Sequence, residues 1–244
     1  MTTDQRDRFR ELHEAGTFVM PNPWDVGSAH QLAALGFPAL ATTSSGHAES
    51  LGKHDQQVTL DELLDHVARL AAAVDVPLNV DAERCFADTP EGVGETVRLI
   101  ASTGAAGLSI EDYSPALGAV EPVPVAAERV AAAAEAAHAH RLTLTARSEV
   151  LLYGAGDVDE ALARLAEYRA AGADVLYAPG LLDPGDISRV VAEAGLPVNV
   201  LLRPKGPSVA ELAALGVRRI STGGALAHAA YRAALEMARG LLPS

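Results

Sequence analysis

Eight short β-type runs alternate with Ala- and Leu-rich amphipathic segments at a nearly regular interval, and this alternation limits the fold more than any other feature of the chain. The runs are FVMP from Phe18, ALATT from Ala39, LNVDAE from Leu78, GLSIED from Gly107, LTLTAR from Leu142, VLYAPG from Val175, VNVLL from Val198 and RRISTG from Arg218. A helix is expected after each, starting near Asp25, Thr59, Thr89, Pro124, Asp157, Pro184, Pro207 and Gly224. Aspartate and threonine cap the first free N–H groups of a helix, and proline suits its first turn. ALGFPAL, STGAAGL, AAGADVL, EAGLPVNV and ALGVRRI each place a glycine between a helix end and the next strand, where the left-handed conformation is cheap for glycine. Eight strand–helix units with no long linker predict a single (β/α)8 barrel spanning residues 1–244. A doubly wound open sheet is the alternative, weakened because no G-x-G-x-x-G or P-loop follows the first strand.

Composition narrows the class of function. With 32 acidic against 19 basic residues the chain carries −13, and no Lys/Arg cluster or interleaved aromatic platform interrupts that balance, so nucleic acid is not an expected partner. No apolar stretch approaches the roughly 20 residues needed to span a bilayer, and no signal peptide is evident in MTTDQRDRFRELHEAG. One cysteine, Cys85, cannot form an internal disulfide. A cytoplasmic location without a membrane partner is therefore expected.

In a barrel of this type the C-terminal strand ends build the active site. Those ends hold Thr43, Ser44 and Ser45 after strand two, Asp81 and Glu83 on strand three, Glu111 and Asp112 on strand four, Arg147 on strand five and Asn199 on strand seven. If LNVDAE is one strand, its period of two points Asp81 and Glu83 to the same side. Clustered carboxylates raise one another's pKa at a cost in stability unless a hard cation neutralises them, and magnesium or manganese fits such donors. Taken singly, each acid could instead cap a helix or pair with an arginine.

The run PNPWDVGSAHQLAALGFPALATTSSGHAESLGKHD, followed by VDAE, GLSIEDY, TARSE, AGADVLYAPGL and PVNVLLRPKGPSVAELAALGVRRISTGGALAHAAY, resembles the isocitrate lyase/phosphoenolpyruvate mutase superfamily, in particular its short members such as oxaloacetate decarboxylases and alkylmalate lyases. The resemblance implies that Asp81 binds Mg2+ directly, with Glu83, Glu111 and Asp55 holding its water ligands. It also implies that Thr43, Ser44 and Ser45 grip a pyruvate-like fragment and that Arg147 contacts the same region. The implied activity is Mg2+-dependent cleavage of a C–C bond in a small 2-oxo or 2-hydroxy dicarboxylate, by decarboxylation or retro-aldol chemistry through a stabilised enolate. A P–C bond enzyme of the mutase or phosphonopyruvate hydrolase type is the alternative, and a catalytically silent binding barrel is a third.

Departures from the family pattern shape these expectations. The segment EDYSPALGAVEPVPVAAERV after strand four has no lysine, histidine or cysteine, which argues against isocitrate and methylisocitrate lyase activity and ranks phosphonate chemistry lower. Arg84, Cys85 and Phe86 stand where short relatives have Gly-Gly-Tyr. Arg84 is a candidate contact for a second carboxylate and Cys85 a candidate proton donor, against the plainer reading of a packed thiol. His47 and Tyr113 are further catalytic candidates. Trp24 is expected to pack, and Lys53 and His54 to lie on a surface loop. The last helix, residues 224–239, is expected either to close its own barrel or to pack on a neighbour in a homodimer or homotetramer.

Overall fold

The computed structural model describes residues 2–243. Eight parallel strands form the barrel: β1 (Phe18–Met20), β2 (Leu40–Ala41), β3 (Leu78–Asp81), β4 (Gly107–Glu111), β7 (Thr143–Arg147), β8 (Val175–Tyr177), β9 (Val198–Leu201) and β10 (Arg219–Ser221). They pair in the order β1-β10-β9-β8-β7-β4-β3-β2. The seam between β1 and β2 is bridged by the Ala41 N–H to Pro21 O (3.1 Å) and Asn22 Nδ2 to Thr42 O (2.7 Å), so the barrel is nearly closed.

Helices α2 (Val26–Ala34), α4 (Leu60–Ala73), α5 (Pro90–Ser102), α6 (Val123–Ala139), α7 (Val158–Ala170), α8 (Pro184–Ala194), α9 (Val209–Ala214) and α10 (Ala225–Arg239) follow the strands as expected. Their caps are the ones the sequence predicts: Asp25, Thr59, Thr89 and Asp157 each accept an N–H from the first turn. The glycines of the five repeated helix ends, Gly36, Gly104, Gly172, Gly195 and Gly216, all have positive φ, between 69° and 101°. An apolar shell between strands and helices is built from Val80, Leu108, Leu144, Leu176 and Ile220, with Val97, Val130, Leu165 and Val190 from the helices.

Three elements exceed the expected eight units. Helix α1 (Thr2–Glu11) lies under the barrel, where Arg6 donates to the carbonyls of Ala101, Ala105 and His140, and the fully buried Phe9 plugs the N-terminal end. A short helix, α3 (Ser44–Ser50), follows β2, and a hairpin of β5 (Tyr113–Ser114) and β6 (Ala119–Val120) follows β4. The third strand is shorter than expected. It ends at Asp81, and Glu83 takes φ 47°, so the strand period does not place these two acids together.

Helix α10 meets its own barrel at α3, where Ala227 packs beside Gly46. Only Ala227 is buried on it, while Leu235 (57%), Met237 (78%) and the following Leu241 (84%) and Leu242 (72%) are exposed. No helix among the described residues is long and apolar enough to cross a membrane.

The bottom plug gives a direct test. A Cβ on Gly107 would stand 2.6 Å from Phe9 Cε1 and 2.7 Å from Thr143 O. Gly107→Ala is expected to lower unfolding stability by about 1–3 kcal/mol in urea melts, because neither the plug nor the β7 backbone can retreat.

Candidate active site

The strand ends surround a cavity of about 540 Å3, lined at its mouth by Thr43, Ser44, Ser45, Asp55, Asp81 and Arg147. Arg147 organises the acids. Its Nη1 lies 2.7 Å from Asp81 Oδ1 and 3.2 Å from Glu111 Oε2, and its Nε donates to Glu149 Oε1 at 2.8 Å. The guanidinium also sits 5.2 Å from the centre of the Tyr177 ring. Burial opposes its charge, but Glu149, Glu111 and Asp81 together hold its pKa well above the ordinary value. Asp81 is fixed from the β2 side as well, by the Ser44 N–H to Oδ2 (3.1 Å) and by its own N–H to Thr42 Oγ1 (2.8 Å).

One arginine does not balance the carboxylates gathered around it. Glu83 is 5% exposed, its Oε1 has no hydrogen-bond partner, and burial, then the charges of Asp81 and Asp55, push its pKa up to about 8. Asp55 is raised by burial and then by Asp81, and Glu111 is raised well above the ordinary carboxylate range, mainly by burial. Gln56, at φ 65°, donates from Nε2 to Glu111 Oε1 at 2.9 Å. Among the described residues no three His, Cys, Asp or Glu side chains form a direct cage for an ion. The donors instead fit a hard, largely hydrated divalent cation, bound through one carboxylate with further acids reached through water. The unpartnered Glu83 oxygen and the excess of negative charge are the observations that favour such an ion.

The chain matches the phosphoenolpyruvate phosphomutase family model over residues 9–242. It belongs to the phosphoenolpyruvate mutase/isocitrate lyase superfamily. An oxaloacetate decarboxylase of Bradyrhizobium sp. is 32% identical over 222 residues, covering 88% of this chain and 71% of the relative. A Burkholderia cenocepacia protein assigned provisionally as a lyase/mutase is 48% identical, with a TM-score of 0.94 over 98% of this chain and 88% of that one. The solved structure of 2,3-dimethylmalate lyase is 28% identical, with a TM-score of 0.84 over 100% of this chain and 89% of that one. These similarities place the protein among enzymes of the carbon–carbon lyase type.

Within this superfamily member the predicted residues divide. Asp55, Asp81, Glu83, Glu111 and Arg147 form one group, Thr43 Oγ1 and Ser45 Oγ meet at 3.2 Å beside it, and Asn199 lies deeper on the cavity wall. Other candidates are turned away. Asp112 is held in the shell behind the mouth by the Tyr168 hydroxyl (2.5 Å), the Glu149 N–H (2.8 Å) and Arg164 (3.2 Å). Cys85 is fully buried in the apolar core, and burial pushes its thiol up to about 12, which corrects the proton-donor expectation in favour of a packed thiol. Arg84 spends its charge on Glu121 (2.7 Å) and Asp88 (2.8 Å) rather than on the cavity. His47 stacks on His66 with centroids 3.7 Å apart, and burial holds both imidazoles below their usual pKa. Lys53 pairs with Glu62, His54 is exposed, and Trp24 packs against Gly46 of α3, as expected of each.

Tyr113 stacks on Tyr153 at 3.9 Å and 2° between planes. Burial, then the charges of Glu111 and Glu149, raise the pKa of the Tyr153 phenol. Sequence reasoning missed Tyr153, Gln56 and Glu149. Glu149 carried a signal, since it lies two residues beyond Arg147 in TARSE; Gln56 and Tyr153 lie on loops and carried none.

The raised Glu83 has a measurable sign. Its folded pKa of about 8 stands above the ordinary 4.5, so the folded chain holds the proton more tightly, and metal-free stability falls as pH rises from about 4.5 to 8. Glu83→Gln is expected to flatten that slope and to stabilise the EDTA-treated chain at pH 8 by on the order of 1 kcal/mol in urea unfolding. An unchanged slope would show that Glu83 is not a source of strain.

Proposed function

We propose that the protein is a Mg2+-dependent lyase that cleaves a C–C bond in a small 2-oxo or 2-hydroxy dicarboxylate, with oxaloacetate-like decarboxylation as the simplest case. The observation that carries this reading is the excess of buried carboxylate around Arg147, including a Glu83 oxygen without a partner, at the mouth of an open cavity. Asp81 would hold the ion directly, and Glu83, Glu111 and Asp55 would hold it through water. When bound, Mg2+ supplies Lewis-acid stabilisation of the negative charge that develops on the 2-oxo oxygen as the adjacent bond breaks.

The chain's own groups do the rest. Thr43, Ser44 and Ser45 present hydroxyl and N–H donors to a carboxylate, and Arg147 adds a fixed cation beside it. Decarboxylation needs no base: carbon dioxide leaves with the bond's carboxylate carbon, and the electron pair stays on the retained carbon, which later takes a proton. With Cys85 sealed in the core, the stacked Tyr113–Tyr153 pair on the loops after β4 and β7 is the candidate source of that proton. The related oxaloacetate decarboxylase and 2,3-dimethylmalate lyase support C–C chemistry over P–C chemistry, as does the absence of a lysine in the segment after β4.

The exposed apolar side of α10 supports association with a second copy, as a homodimer or a larger assembly, since Leu235, Met237, Leu241 and Leu242 find no cover on their own barrel. The buried, unpaired Cys85 suits a reducing compartment such as the cytoplasm.

Titration calorimetry with oxalate, which mimics a pyruvate enolate, tests the site. Binding is expected with Mg2+ and not with EDTA, and Asp81→Asn is expected to weaken it about 100-fold or more. Turnover of oxaloacetate or an alkylmalate would follow, whereas phosphate release from phosphonopyruvate would move the assignment to P–C chemistry. For the assembly, Leu235→Glu combined with Met237→Glu is expected to shift the light-scattering mass to a single chain; a wild-type chain that is already monomeric would overturn this part.

A further inference from the structure

Three deeply placed arginines at the mouth end of the barrel each face a carboxylate. Arg129 pairs with Glu121 at 3.3 Å, Arg164 bonds Asp112, and Arg147 pairs with Asp81, Glu111 and Glu149. Arg219 is 2% exposed and bonds no carboxylate. Its Nε donates to Asn199 Oδ1 (2.9 Å), its Nη2 to Thr145 Oγ1 (2.9 Å), and its Nη1 faces His13 Nε2 at 3.4 Å. His13 is a neutral acceptor there, because burial and then the Arg219 charge hold its pKa at about 3 while Nδ1 bonds Phe9 O. A guanidinium has five N–H groups, so two are left without a protein acceptor.

Arg219 is not sealed off. The cavity that opens at Asp55 and Arg147 runs down the barrel axis to Arg219, past Asn79, Ser109 and Asn199. Below this level Phe9 and Phe18 close the barrel, so a group at the floor is reached from the mouth alone. A full charge in such a place is normally matched by an opposite one, because neutral acceptors repay only part of its lost hydration. Loss of water draws the Arg219 pKa down to about 9, which is the mark of a cation that the chain itself does not compensate.

We propose that Arg219 is the floor of an anion subsite inside the barrel, which takes one carboxylate- or halide-sized monoanion on its two free N–H groups, beside Thr145. Two sources share this chemistry. One is a free anion from solution. The other is the second carboxylate of a dicarboxylate held at the mouth, and this source alone rests on the lyase reading.

Crystals of the full chain soaked in bromide test the subsite without reference to catalysis. An anomalous peak is expected within hydrogen-bond distance of the Arg219 guanidinium in wild type and in Arg219→Lys, and none in Arg219→Gln. In solution, bromide is expected to raise the melting temperature of wild type more than fluoride at equal ionic strength does, and Arg219→Gln is expected to lose the difference. Water alone around Arg219, with no bromide-specific stabilisation, would overturn the proposal. Competition on the Mg2+-loaded protein then separates the sources. If bromide weakens malate binding about tenfold and leaves oxalate unchanged, the subsite receives the second carboxylate; if it weakens neither, the subsite holds a free anion.

Discussion

The arrangement at the barrel mouth depends on the Arg147 guanidinium. Its bonds to Asp81 on β3, Glu111 on β4 and Glu149 just beyond β7 tie three adjacent elements together through one planar cation, and its face rests over Tyr177 of β8. Without it the acids would repel one another across a poorly hydrated space. Even with it they are in excess, which is why burial and mutual repulsion raise the pKa values of Glu83 and Glu111. On the proposed lyase reading, a cation that enters among the acids would weaken their hold on Arg147 and leave part of that guanidinium for a substrate carboxylate.

Support for the acids comes from a strained turn. Glu83, Cys85 and Phe86 have φ of 47°, 60° and 51°, a left-handed conformation that costs non-glycine residues on the order of 1 kcal/mol each or more. A local turn bond and contacts from distant elements hold it. The Cys85 N–H bonds Ala82 O at 2.7 Å, Arg129 donates to Arg84 O, and Arg84 and Arg129 share Glu121 at the end of the β5–β6 hairpin. Cys85 and Arg84 thus act on the site by fixing the backbone that carries Glu83, and they link it to the segment after β4.

The barrel interior is more polar than the shell around it. Asn79, Ser109, Thr143, Thr145, Asn199, Arg219 and Ser221 point inward, while Val80, Leu108, Leu144, Val200 and Ile220 point to the helices. Stability therefore rests on the apolar layer between strands and helices, which leaves the axis free to hold the cavity.

The sequence by itself determined the fold and its polarity. Period-two runs, Asp and Thr caps and five C-terminal glycines are local signals, each governed by the conformational preferences of a few neighbouring residues, and together they fix eight strand–helix units and the strand ends where Asp81, Glu111 and Arg147 meet. Side-chain direction beyond a strand end is not local. Glu83 joins the acids through a left-handed turn rather than strand alternation, Asp112 is drawn away by Tyr168 and Arg164 from α7, and His47 is turned toward His66 from α4. Only the tertiary structure decided which charges are matched. Arg84 and Arg219 read alike as cations in β-rich segments, yet one is neutralised by Glu121 and Asp88 and the other faces an open cavity with no acid beside it, because pairing depends on what distant elements bring within hydrogen-bond reach.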